Sequence, residues 1–158
     1  MAKNIKYTAR DADGQTHTRS SKRVYTHTVV AKLDIDAMIR DADTTGRAYS
    51  IQNHAVYVGY ATNGWKPAKW MDPETAKRHH EEGFECGRRF LAEHGTDPAA
   101  YAEACYQREV ARFTADTEYH NLGWCGRLGL AQKLAAKCAA GQYTKYRDIT
   151  ILEAEAAA

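Results

Sequence analysis

The hydrophobic pattern of this chain changes its period near Asp72-Pro73, from about two residues before that point to about 3.6 after it. Apolar groups at every second residue line one face of a strand, whereas a period of 3.6 lines one stripe of a helix. A single switch of this kind reads as an α+β fold. Residues 1–71 are the β-rich part, 72–141 the helical part, and 146–152 a closing strand. The economical arrangement is a single, mostly antiparallel sheet of roughly four to five strands with about three helices packed on one face. With 158 residues and no low-complexity linker, the expectation is one domain spanning 1–158.

Within the front part, Ile5–Arg10 and Gln15–Arg19 read as a polar hairpin around Asp13-Gly14, a pair suited to positive φ. Val24 to Leu33 is the strongest strand, rich in β-branched and aromatic residues with apolar groups on both faces, as a central strand requires. A short ambiguous segment, Asp34 to Asp43, ends at Thr44-Thr45-Gly46. Arg47–Ile51 and His54–Ala61 then read as a strand pair, and Pro67 confines Trp65 to Trp70 to an edge or a loop.

In the helical part, Asp72-Pro73 and Asp97-Pro98 are two start signals: an aspartate that accepts backbone N–H groups, then a proline that suits the first helical position. The first helix stops at Gly95 and carries Gly83 and Gly87 one turn apart. Each glycine costs roughly 1 kcal/mol against alanine, so the pair predicts the close approach of another backbone. Residues 119–126 read as irregular, 127–140 as a third helix, and Glu153 to Ala158 as a frayed tail.

Composition excludes several classes. At 44% hydrophobic and 27% charged residues the chain is that of an ordinary globular protein. No run of ~18 apolar residues is present, so no membrane span is expected. Met1 to Lys6 lack the apolar core of a secretion signal, and the expected location is the cytoplasm. Cys86, Cys105, Cys125 and Cys138 include no Cys-x-x-Cys pair and read as reduced packing residues, with no metal site.

The candidates for chemistry are few. His79 and His80 are adjacent, so a helix points them ~100° apart and cannot aim both at one ion. His27 sits in the strong strand, where a rigid sheet could hold a catalytic base. Cys125, in Leu122-Gly123-Trp124-Cys125-Gly126, precedes a helix start, a setting that can activate a thiol. Glu153 and Glu155 form a Glu-x-Glu pair after a strand, which resembles the placement of the catalytic glutamate in some ADP-ribosyltransferases. No Gly-x-Gly-x-x-Gly, Gly-Lys-Ser/Thr or Gly-x-Ser-x-Gly pattern occurs, and no cofactor is expected.

A basic and aromatic cluster is the better interaction candidate. Residues 1–35 carry seven Lys or Arg against three Asp, a net +4, and residues 95–123 carry two Arg against five acids, a net −3. Arg19, Lys22 and Arg23 fall within five residues, near Tyr25 in sequence; Trp65 and Trp70 flank a proline-containing segment after Tyr57 and Tyr60. Exposed Tyr, Trp and Arg are the residue types that partner surfaces favour.

Arg23–Val30 and Trp124–Ala136 together resemble segments of small uncharacterised proteins encoded by bacteriophages and prophages, over about twenty residues of the chain. The resemblance carries no catalytic residues; it implies a mobile-element origin and host-takeover or anti-defence roles of the CRISPR-inhibitor kind. The sequence therefore points to a non-catalytic binding or inhibitor protein that occupies a surface of a host protein or nucleoprotein complex through Arg19, Lys22, Arg23, Trp65 and Trp70. The alternatives are a small transferase-like enzyme using His27 or Cys125, and direct nucleic-acid binding by the same basic edge.

Overall fold

Two Asp-Pro signals, one Asp-Gly turn and one dense β-branched run fix the positions of the main elements. The computed structural model describes residues 4–141 and 144–157. The chain divides into two compact units, residues 1–39 with 112–158 and residues 40–111.

The first unit holds the strands. Ile5–Arg10 (β1) pairs antiparallel with Thr16–Ser21 (β2), Arg10 opposite Thr16 and Ile5 opposite Ser21. The connection is an Asp11–Gly14 turn in which Gly14 N–H bonds Asp11 O at 3.0 Å and Asp11 N–H bonds Gln15 O at 3.0 Å. Gly14 alone takes the positive φ, +85°; Asp13 does not, so the Asp-Gly pair works as half of what a two-residue turn would need. His27–Leu33 (β3) is central, between His120–Cys125 (β4) and Tyr146–Glu153 (β5). Thr28, Val29, Val30 and Ala31 are all buried, which accounts for the apolar character of both faces. Glu155–Ala157 (β6) returns to pair with β1.

Among the described residues the strands therefore form two three-stranded antiparallel sheets, ordered β2-β1-β6 and β4-β3-β5, and the expected single sheet of four to five strands is wrong. The chain leaves β5 at Glu153 and enters β6 at Glu155; between them Ala154 N–H bonds Thr26 O at 2.9 Å, which carries the β3–β5 register one residue further before the chain crosses to β1. Two strands also lie where none was expected. Within residues 119–126, expected to be irregular, His120–Cys125 form β4 despite a register shift between Val29 and Val30, where Gly123 lies opposite Val29. The tail forms β6 up to Ala157; Ala158 lies outside the described residues.

Ile35–Asp41 (α1), a π-helical turn at Ala42–Gly46 and Arg47–Asn63 (α2) follow one another without a break, so Thr44-Thr45-Gly46 does not stop the helix. The strand pair expected at 47–51 and 54–61 is helical. Its β-branched residues describe side-chain type, whereas His54, Tyr57, Ala61 and Gly64 recur at spacings of three and four and meet the next helix. That helix, Pro73–His94 (α3), starts on Asp72, whose carboxylate accepts from Glu74 and Thr75 N–H, and ends at Gly95. Built on Gly83 and Gly87, a Cβ would lie 2.0 Å from Trp65 N and 2.1 Å from Ala61 N, so α3 touches the end of α2 backbone to backbone. Pro98–Ala115 (α4) follows, with Ala99 N–H on the Asp97 carboxylate at 2.8 Å.

Leu128–Ala139 (α5) packs on β3, β4 and β5, where Ala131, Val29 and Cys125 form a buried cluster with Leu134, Ile149 and Ile151 against it. The expected stack of about three helices on one sheet face is thus not the arrangement: α5 lies on a sheet, and α2 packs against α3.

Candidate functional site

The polar hairpin presents its charges because β2 is an edge strand of its sheet. Arg19 stands on β2, and Lys22 and Arg23 follow in the turn that leaves it, where Arg23 N–H bonds Ser21 Oγ at 3.0 Å. All three side chains are exposed, and none makes an ion pair among the described residues. Val24 beside them is 65% exposed. The Arg19 guanidinium lies 5.2 Å from the centroid of Tyr25. Tyr25 is wedged edge-on between Tyr7 at 5.5 Å and Trp124 at 6.2 Å. A row of rings thus runs from the first sheet to the second, with Arg19 over its middle member.

Trp65 and Trp70 belong to the other unit, on the segment between α2 and α3. Trp65 is half-buried: its ring lies 5.1 Å from His79 and 6.1 Å from Tyr60, and its carbonyl accepts from His80 Nδ1 at 3.0 Å. Trp70 is 83% exposed, with Lys69 exposed next to it. The five residues read as one contact surface are therefore divided, three on the strand-containing unit and two on the helical one.

His27 and Cys125 are opposite each other in the β3–β4 register, and Glu153 faces His27 from β5. Directly opposed residues of an antiparallel pair share a face, so Cys125, His27 and Glu153 form one row across the sheet. The row lacks the features of an activated thiol. Burial pushes the Cys125 thiol above its ordinary range, which keeps it protonated at neutral pH. No hydrogen bond joins His27 to Cys125 or Glu153 among the described residues; His27 Nδ1 meets Thr26 Oγ1 at 2.8 Å. Glu153 and Glu155 line a cavity of about 390 Å³ together with Thr8, Arg10 and Thr16.

His54 is a packing group. It is 1% exposed, donates from Nε2 to Gly95 O at 3.0 Å, and contacts the rings of Phe90 and Tyr101. Among the described residues no group of three or more His, Cys, Asp or Glu side chains gathers where it could hold a metal ion. Nor is any described helix long and apolar enough to cross a membrane.

Sequence reasoning passed over one polar pair. His17 on β2 and Asp11 in the hairpin turn are both buried, and His17 Nε2–H donates to Asp11 Oδ2 at 2.8 Å. The other carboxylate oxygen accepts from Asp13 and Gln15 N–H at 3.0 and 2.9 Å. Burial alone would raise the Asp11 carboxyl; the bonds from His17, Gln15 and Asp13 outweigh it and hold the group below its usual range. The available signal was Asp11 standing two residues before Asp13-Gly14, which marks an Asx-type turn.

No family model, no curated protein and no solved structure matches the chain.

Proposed function

We propose that this chain is a non-catalytic binding protein whose Arg19, Lys22 and Arg23 turn engages an acidic surface of a host protein or nucleoprotein complex. The observation that carries this reading is the trio of exposed cations without an ion pair among the described residues, set beside exposed Val24, with Arg19 over the Tyr25 ring. A cationic rim speeds encounter with an acidic partner. Trp70, the most exposed large apolar side chain among those of the described residues, supplies a second contact of the kind that dominates binding energy. The resemblance to phage and prophage proteins makes a bacterial host factor the target class, in an anti-defence role.

The test is affinity capture from a bacterial lysate with the intact chain and with Lys22→Glu/Arg23→Glu, each with and without nuclease. A protein band retained after nuclease and lost in the double variant supports the reading. A band indifferent to the charge reversal removes the site. Loss after nuclease assigns the turn to nucleic acid instead, and that binding weakens steeply as salt rises.

A further inference from the structure

The helical unit contains a cavity of about 290 Å³ between α2 and α4, lined by Tyr49, Ser50 and Asn53 from one helix and Tyr101, Cys105 and Arg108 from the other. Its size is close to the lower end of small-molecule sites, roughly 300 Å³, which admits one or two rings.

The walls are fixed from behind. The Tyr101 ring is held by His54 at 5.5 Å, Phe90 at 5.2 Å and His94 at 5.2 Å. Tyr106, a further part of the lining, has the Arg47 guanidinium 4.0 Å from its centroid. Arg47 is itself clamped by Asp43 at 2.7 Å and Glu103 at 2.5 Å. Tyrosines that are already immobile offer flat apolar faces without an ordering cost, and flat rings stack on them best when offset.

The polar groups of the lining are mostly donors. Arg108 makes no ion pair among the described residues; its Nη2 reaches Cys105 Sγ at 3.5 Å. Thiol sulfur is a weak acceptor, so most of the five guanidinium N–H groups remain for another partner. The Tyr101 hydroxyl contacts Asn53 and Cys105, and burial raises this phenol, which keeps it a neutral donor. Ser50 and Asn53 add further N–H and O–H groups. Glu109 also lines the cavity and has an interaction of its own.

We propose that this cavity is a binding site for a small planar aromatic carboxylate, its ring against the tyrosine walls and its carboxylate on Arg108. A planar fork of N–H donors matches a carboxylate with two parallel bonds, and the rings select a flat body. The site involves none of Arg19, Lys22, Arg23 or Trp70, so its test is independent of the partner surface.

Salicylate is the probe, followed by ligand-observed NMR and by its protection of Cys105 against iodoacetamide in the intact chain. Cyclohexanecarboxylate keeps the charge without the flat ring, and benzamidine keeps the ring with the opposite charge. The expected result is salicylate binding at least about tenfold tighter than either control, slower Cys105 alkylation, and a loss of roughly tenfold in Arg108→Gln at unchanged melting temperature. Absence of salicylate binding, equal binding of the three compounds, or unaltered affinity in Arg108→Gln overturns the proposal.

Discussion

Each of the two units is held together internally by a different kind of contact. In the strand-containing unit four successive residues of one strand, Thr28, Val29, Val30 and Ala31, are fully buried, and Ala131 of α5 packs with Val29 and Cys125 on one face. In the helical unit the fully buried side chain is His54, and the closest contacts are Gly83 and Gly87 of α3 against the backbone of Trp65 and Ala61. Around them the rings of Tyr57 and Phe90 stack at 4.0 Å and 8°. One unit relies on volume filling a space, the other on the absence of volume at two positions. Adding a methyl should therefore do the damage in one place, and removing methyls in the other.

The largest effect is expected at Gly87→Ala. The added methyl has no room beside Ala61 N, and the atoms in the way are backbone, so α3 has to move away from α2. A loss of about 3 kcal/mol in a urea titration is predicted, at the upper end of overpacking effects. Gly59→Ala on α2 is the control, since nothing lies within 4 Å of its added methyl. It should stabilise by about 0.5–1 kcal/mol through helix propensity alone. Equal effects of the two substitutions would remove the close-approach account of the helical unit.

Next comes Val29→Ala, which opens a cavity between β3 and α5 where the structure has no slack. A destabilisation of about 2 kcal/mol is expected from the same titration. A smaller change at Val29 than at Gly59 would mean that burial in the central strand is not what holds the first unit.

The buried pair of the hairpin sharpens the comparison by pH. Asp11→Asn keeps the shape and removes the charge that His17 and two backbone amides address. At neutral pH it should cost about 1–2 kcal/mol. The Asp11 carboxyl is held below its usual range in the folded chain. Its stabilisation is therefore complete above roughly 3.9, the ordinary carboxylate value, and disappears as pH falls through the lower folded value. The gap between the native chain and Asp11→Asn should close in acid; a gap that stays constant with pH would show that the charge contributes nothing.

The elements that the sequence displayed are those decided within a few residues. The Asp72 and Asp97 caps, the hairpin and the β-branched run of β3 each act locally. Residues 47–61 were not legible, because Ile51, Val56, Tyr57 and Val58 suit a strand by type and only the partner α3 selects the helical alternative. The split into two sheets depends on which strands pair across long stretches of sequence, β6 with β1 and β5 with β3, which no local pattern announces. For the candidate site the division is similar. Arg19, Lys22 and Arg23 are neighbours in sequence and stay together on one turn, but their grouping with Trp65 and Trp70 joined residues of different units. The α2–α4 cavity draws on residues about fifty positions apart, beyond the reach of any local spacing.

The smallest effect on stability is expected at Lys22→Glu/Arg23→Glu, because exposed side chains with no ion pair among the described residues support no fold contact. The same substitution is expected to have the largest effect on binding. Measuring affinity for the captured partner alongside the melting temperature of the double variant tests the central claim most directly. The prediction is a loss of binding of roughly a hundredfold, as two charge-assisted contacts imply, at an unchanged melting temperature. Affinity equal to that of the unsubstituted chain would contradict it.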